Sequence, residues 1–275
     1  MSQPDSAMSF IKASEIWLPE GETLVFGAGD YGPLAAFADV SSQSQFAHGE
    51  GLPGKAWAEG CPIVLDQFDG SYFQRTVAAH EAGLTCAIAI PVFADDALKA
   101  VLVVLCGDDA GHIGAIEVWE DRDDRLHLEA GYYGAAEDFG TASQDVVFAH
   151  GEGLPGGVWS AQMPVLMRQI GSRHGFVRGE SAMAAGLTHG LGIPVQAPDG
   201  RTRIVTLLTG ADTPLARRFE IWDGRPERVG PRRAAVRIDG ICEREGPLWA
   251  RQNPPVDIVT ITAWQGPVGQ VLGSG

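Results

Sequence analysis

The chain lacks the features that mark a secreted, membrane-spanning or nucleic-acid-binding protein. No apolar run in its 275 residues approaches the roughly 20 needed to cross a bilayer, so no membrane partner is expected. Met1 to Ile11 has no basic segment leading into an apolar stretch, so no export signal is expected and the cytoplasm is the expected compartment. Cysteine is scarce: Cys61, Cys86, Cys106 and Cys242 show no Cys-x-x-Cys spacing. Reduced thiols are therefore expected, with neither a disulfide framework nor a metal site. Positive charge is thin over the first 200 positions, where 9 Lys and Arg against 27 Asp and Glu give −18, while residues 201–275 hold 11 Arg and 8 acids. A net charge of −15 repels polyanions. The terminal arginines alternate with Asp and Glu without interleaved aromatics, so no nucleic-acid partner is expected and docking against the acidic domains is.

What is present is repetition. The string Phe46-Ala47-His48-Gly49-Glu50-Gly51-Leu52-Pro53-Gly54 returns unchanged as Phe148 to Gly156, about a hundred residues later. Glu15-Ile16-Trp17 returns as Glu117-Val118-Trp119, Gly83-Leu84-Thr85 as Gly186-Leu187-Thr188, and Ile90-Pro91-Val92 as Ile193-Pro194-Val195. The period exceeds the roughly 20–50 residues of solenoids, and each unit is long enough to bury its own core, so tandem domains are expected over 13–110 and 111–214. A third start appears at Phe219-Glu220-Ile221-Trp222, with Trp249-Ala250 and Pro254-Pro255-Val256 as worn copies of Trp57-Ala58 and Pro62-Ile63-Val64. Half a sheet cannot bury a core alone, so residues 215–275 are expected to be a partial third repeat packed on the second, extending its sheet by edge pairing. The cysteines do not follow the repeat: Met163, His189 and Thr209 stand where Cys61, Cys86 and Cys106 do.

Within one unit, Ser14 to Trp17 and Leu24 to Phe26 read as a hairpin. Pro53 fits the first turn of a short helix through Trp57 that stops at Gly60, and Ile63 to Leu65 reads as a strand. Ser71 to Ala82 has helix-forming composition and stops at Gly83. Cys86 to Phe93 and Ala100 to Cys106 are apolar strands joined through Asp95-Asp96, mirrored by His189 to Gln196 and Arg203 to Thr209. Strands outnumber helices and hairpins adjoin, which predicts an α+β unit, a central antiparallel sheet with short flanking helices.

Two nucleotide-binding patterns fail on inspection. Gly49 to Gly54 satisfies G-x-G-x-x-G and Gly49 to Lys55 begins a P-loop, but Ala56 stands where a hydroxyl must hold magnesium and Pro53 removes an N–H. No buried parallel strand precedes the loop. His48 and His150 sit beside Glu50 and Glu152, yet no Ser, Cys or Asp nucleophile recurs with them, so they are expected to satisfy backbone carbonyls in the turn and no catalytic residue is assigned. Trp17, Trp119, Trp57 and Trp159 are expected in the core.

The run Gly-x-Gly-Leu-Pro-Gly-x-x-Trp, followed by Pro-x-x-Leu, a helix ending in Ala-Gly-Leu and an Ile-Pro-Val strand, resembles the GAF domain family in both copies. The resemblance covers about Ala13 to Asp109 and Ala115 to Asp212. It implies a pocket between sheet and helices. In unit one its wall would be Leu65, Asp66, Phe68, Tyr72, Phe73, Thr85 and Cys86; in unit two, Met167, Arg168, Ile170, Phe176, Thr188 and His189. Asp66 and Arg168 carry opposite charge at one position, so the two pockets would prefer different ligands. Phe73 and Arg75 recur as Phe176 and Arg178, read as shared packing and a shared surface ion pair. The long helices that flank GAF sheets are missing, as are the Cys-His pair of bilin-binding members and the cysteine set of the free methionine sulfoxide reductases. The expectation is a non-catalytic tandem GAF-like protein that senses a small molecule or regulates a protein partner, with a homodimer possible and no cofactor assigned. The alternatives are a GAF-type thiol-dependent reductase using Cys61, Cys86 or Cys106, and a ligand-free assembly module.

Overall fold

A computed structural model describes residues 9–108, 113–170, 176–216, 218–224, 234–242, 246–247 and 260–262. Trp249, Ala250, Pro254, Pro255 and Val256 lie outside the described residues. Two compact units divide between Leu215 and Ala216.

The first unit holds both full repeats. Repeat one runs β1 (Ile11–Glu20), β2 (Thr23–Asp30), α1 (Ala35–Ser42), β3 (Gln45–Ala47), α2 (Gly51–Glu59), β4 (Ile63–Leu65), α3 (Thr76–Glu81), β5 (Cys86–Ala94) and β6 (Ala97–Cys106). Repeat two follows as β7 (Gly114–Arg122), β8 (Arg125–Tyr132), α4 (Glu137–Ser143), β9 (Val147–Phe148), α5 (Gly153–Ala161), β10 (Val165–Arg168), α6 (Gly179–Ala184), β11 (Leu187–Gln196) and β12 (Thr202–Gly210). Each forms one antiparallel six-stranded sheet, ordered β3-β2-β1-β6-β5-β4 and β10-β11-β12-β7-β8-β9, the same order read from opposite edges. This is a tandem α+β fold, each repeat a central antiparallel sheet with short flanking helices, as expected. Among the described residues no helix is long and apolar enough to cross a membrane.

Turn chemistry sets the hairpins. Gly21 takes φ +64° between β1 and β2, and Asp123 and Asp124 take +52° and +59° between β7 and β8, the left-handed conformation of a tight hairpin that Gly and Asp tolerate best. Pro53 and Pro155 sit early in α2 and α5, where a missing N–H costs nothing, and Gly60 ends α2 in the left-handed region.

Alternation along the strands defines two faces. On the helix side of the first sheet, Ala13, Trp17, Ala87, Ala89, Val103 and Leu105 join Leu52, Ala56, Phe68 and Ala79 in one core. Ala115, Trp119, Leu208, Leu154 and Val158 do the same in the second. On the opposite faces Ile88, Ile90 and Val104, and Ile116, Val118, Leu191, Val205 and Leu207, are buried too. They belong to neither core, and β5 contacts β11 while β4 contacts β7 and β8, so the sheets pack back to back. Every residue of β7 from Gly114 to Glu120 is buried as a result.

Three expectations change. Only Thr76–Glu81 of the expected Ser71–Ala82 helix is helical; Ser71 Oγ donates to Phe68 O and accepts from Phe73 N, giving the backbone a local alternative to helix. Helices α1 and α4, absent from the sequence reading, cover the inner face. In the second unit β13 (Arg218–Asp223), β14 (Ala234–Cys242), β15 (Gly246–Pro247) and β16 (Thr260–Thr262) pair with one another in a four-stranded sheet of their own, where extension of a neighbouring sheet was expected.

Candidate functional site

The repeated nine-residue string is a closed loop and leaves no phosphate cradle. Gly49 N donates to Gly54 O at 2.8 Å, Glu50 N to Ala47 O at 2.9 Å and Gly54 N to Glu50 O at 3.0 Å. Glu50 Oε2 accepts from Ala47 N at 2.8 Å and Oε1 from Gln74 at 2.8 Å, and these bonds hold its carboxyl below the usual carboxylate range. Glu152 accepts from Ala149 N in the second copy. A Cβ on Gly54 would lie 2.1 Å from Ala47 O, and on Gly156 2.0 Å from Ala149 O. The histidines rest on tryptophan rings, where backbone carbonyls were expected: His48 meets Trp57 edge-on with centroids 4.9 Å apart, and His150 stacks on Trp159 at 3.4 Å. Trp57 is half-buried; Trp17, Trp119 and Trp159 are core.

The interior of each repeat is built around an arginine. Arg75, just before α3, turns inward and donates from Nη1 to Glu15 Oε1 at 2.5 Å and from Nη2 to Oε2 at 2.9 Å. Nη1 also reaches Ser41 Oγ. Its guanidinium carbon lies 5.4, 4.9, 5.7 and 5.3 Å from the ring centres of Trp17, Phe37, Phe46 and Phe73. Glu15 also accepts from Trp17 Nε1 and Tyr31 Oη, each at 3.0 Å. Burial, then the Glu15 charge, pushes the Tyr31 phenol up, so it remains a donor. Every part recurs in repeat two: Arg178 binds Glu117 at 2.5 and 2.9 Å, reaches Ser143, and stands among Trp119, Phe139, Phe148 and Phe176. Trp119, Tyr133 and Thr206 donate to the same carboxylate. Burial opposes the charge on Glu117, but Arg178 and the hydrogen bonds outweigh it and hold the carboxyl below its usual range. The pair read as a surface ion pair is therefore internal: both arginine side chains are 3% exposed and both glutamates 0%. In the second unit Trp222 Nε1 and Arg237 Nη1 each meet Glu220 at 2.9 Å, so the Glu-x-Trp strand keeps its arginine while taking it from strand β14.

The residues expected to wall a pocket fall into several settings. Leu65, Phe68 and Phe73 are core, with the two phenylalanine rings 4.4 Å apart. Ile170 and Phe176 are core in repeat two, with Met167 packed against them. Asp66 is exposed, and Tyr72 is exposed under Lys55, whose Nζ lies 5.3 Å from the ring centre. Cys86 lies on the back face, since its neighbours Ala87 and Ala89 face the core. His189 and Arg168 are register partners on the corresponding face of the second sheet, since Gly190 and Gly192 face Leu154 and Val158 of α5. Burial, then Arg168, lowers the His189 imidazole below its usual value. Thr188 Oγ1 lies 2.9 Å from His189 Nδ1. Thr85 Oγ1 donates to Asp108 at 2.7 Å, and Tyr132 of repeat two donates to Asp108 at 2.5 Å and to Thr85 at 3.3 Å. Thr85 therefore belongs to a junction between the repeats.

Cys61 is half-buried, and burial raises its thiol despite Arg203 nearby. Burial, then contact with Cys106, pushes the Cys86 thiol well up. No group of three or more His, Cys, Asp or Glu among the described residues could hold a metal ion.

No family model matches the chain. No curated protein matches it. Among solved structures, the GAF domain of A. aeolicus nlh2 is 23% identical with a TM-score of 0.30, covering 36% of this chain and 59% of that one. Free methionine-R-sulfoxide reductase from Neisseria meningitidis, solved with its substrate, is 18% identical with a TM-score of 0.29, covering 35% and 52%. The GAF domain of an Acinetobacter phosphoenolpyruvate-protein phosphotransferase is 16% identical with a TM-score of 0.28, covering 36% and 56%. This chain thus spans little more than half the length of each. Each of these matches covers about a third of this chain, the length of one repeat.

Proposed function

We propose that this chain is a non-catalytic regulatory protein whose tandem GAF-like domains act through their surfaces on a protein partner, the interior of each being filled by its own arginine. The observation that carries this reading is the occupancy of both interiors. Arg75 and Arg178 stand between sheet and helices, where a small ligand would sit, each held by a carboxylate, a hydroxyl and four aromatic rings. Displacing either would strand a buried carboxylate, a penalty of several kcal/mol that a small metabolite would have to exceed. Thiol catalysis is disfavoured by the same structure, because a nucleophilic cysteine needs a depressed pKa and both Cys61 and Cys86 are raised.

The test is native mass spectrometry of the purified chain, followed by denaturation and search for released small molecules, with a parallel assay of thiol-dependent sulfoxide reduction. A chain that carries nothing and turns nothing over supports the proposal. A stoichiometric co-purifying metabolite would replace it with a small-molecule sensor, and turnover abolished by Cys61→Ser would replace it with a reductase.

A further inference from the structure

Repeat one carries a pair of thiols that repeat two does not. Cys86 opens β5 and Cys106 closes β6, and the two are direct register partners. Antiparallel partners hold their Cα atoms about 4.5–5.5 Å apart, inside the roughly 4.4–6.8 Å that disulfides span. Partners in register share a face, and the two side chains are in hydrogen-bonding contact. Both thiols are free and buried. At the same register in the second repeat stand His189 and Thr209, so the fold itself does not demand a pair of cysteines there.

The surroundings bear on how such a pair would be reached. As terminal residues of their strands, both cysteines lie where opening of the ladder is easiest. Next to them Tyr132 bridges from the second repeat to Asp108 and Thr85, the residues that flank the two strand ends. The Cys86 thiol also bonds Thr85. Tyr132 is therefore a latch across the exit from the thiol pair.

We propose that Cys86 and Cys106 form a reversible dithiol–disulfide site, closed by a peroxide and reopened by a thiol, which gives the first repeat a redox input that the second lacks. Once the strand ends open and the burial that raises the Cys86 thiol is relieved, one cysteine sulfur attacks the peroxide, the O–O bond breaks, and sulfenic acid and one water form. The other sulfur then attacks the sulfenic sulfur, the S–O bond breaks, and a second water leaves with the remaining proton. Two thiols and one hydrogen peroxide give one disulfide and two waters, sulfur losing the two electrons that peroxide gains. The inference does not depend on what fills the domain interiors and stands or falls separately from the function proposed above.

The experiment uses the full chain with Cys61→Ser and Cys242→Ser, which leaves the pair as its only thiols. After treatment with hydrogen peroxide, intact mass and peptide mapping without reductant are measured. The expected result is a loss of two hydrogens, a crosslink joining the peptides that contain Cys86 and Cys106, full reversal by dithiothreitol, and a melting temperature raised by several degrees while the link is closed. Tyr132→Phe in the same background is expected to speed closure severalfold. Thiols that stay reduced while the chain is folded and oxidise only in urea would overturn the proposal, as would a gain of oxygen without any crosslink.

Discussion

Replacing Arg75 with Met tests whether the buried guanidinium holds repeat one together. The change keeps a long apolar stem but removes both bonds to Glu15 and the one to Ser41. Glu15 is fully buried and, among the described residues, would keep Trp17 and Tyr31 as neutral donors. Removing one partner of a buried pair typically costs about 3–5 kcal/mol, because the other charge is left uncompensated. For a folded unit of this size each kcal/mol is worth about 2–4 °C, so a drop of roughly 6–20 °C in the melting temperature of repeat one is expected. Replacing both partners, Glu15→Leu with Arg75→Met, removes the stranded charge and should recover part of the loss. The exposed pair Lys55–Glu59 is the control, since breaking it should cost no more than about 0.5 kcal/mol. Thermal and urea unfolding followed by tryptophan fluorescence compare the unaltered chain, Arg75→Met, Glu15→Leu, the double change and the control. The reasoning is refuted if Arg75→Met costs no more than the control, or if the double change costs the sum of the two single ones.

Other outcomes follow from the same geometry. Gly54→Ala should prevent repeat one from folding, because its Cβ would meet Ala47 O, whereas Gly49→Ala meets nothing and pays only for its φ of +83°, about 1–2 kcal/mol; circular dichroism and melting curves separate the two. Glu117 has a folded pKa below its unfolded value of about 4.3. Its contribution to stability is therefore fully present above that pH and lost as pH falls through the folded value, so acid unfolding of repeat two should weaken in Glu117→Gln, read by chemical denaturation between about pH 2 and 6. Tyr132→Phe removes the hydroxyl that spans the two repeats and should lower stability by about 1–3 kcal/mol without altering the secondary structure.

Much of the fold was legible because it repeats. Period-two apolar runs located β1, β5 and β6 and their copies, and Pro53 and Gly60 marked the ends of α2. Helix α1, with the sequence Ala-Ala-Phe-Ala-Asp-Val-Ser-Ser, gave no comparable signal; it has no side-chain cap and buries only Phe37 and Ser41. The interior was harder to read because its defining contact joins Glu15 to Arg75, 60 residues apart, and nothing local to either residue announces burial. The informative signal was the joint recurrence of Glu-x-Trp and Phe-x-Arg at one spacing, which a surface pair would also produce. The residues expected to wall a pocket span both sides of the sheets: Leu65 and Phe73 join the core on the helix side, while Cys86 and His189 lie on the opposite faces.

The back-to-back packing has a consequence for how the two copies of this duplicated chain are able to change. Ile16 on β1 is 39% exposed, while its counterpart Val118 on β7 is 0% exposed, enclosed from both sides. Leu18 is exposed, whereas Glu120 in the same place is buried and paired with Arg203. Strands descended from one ancestor thus live under different rules: a polar substitution that β1 absorbs at no cost would unfold β7. Drift is free to gather on the outer strand of the pair, so the descendants of one sequence should diverge fastest where the fold has made them unequal.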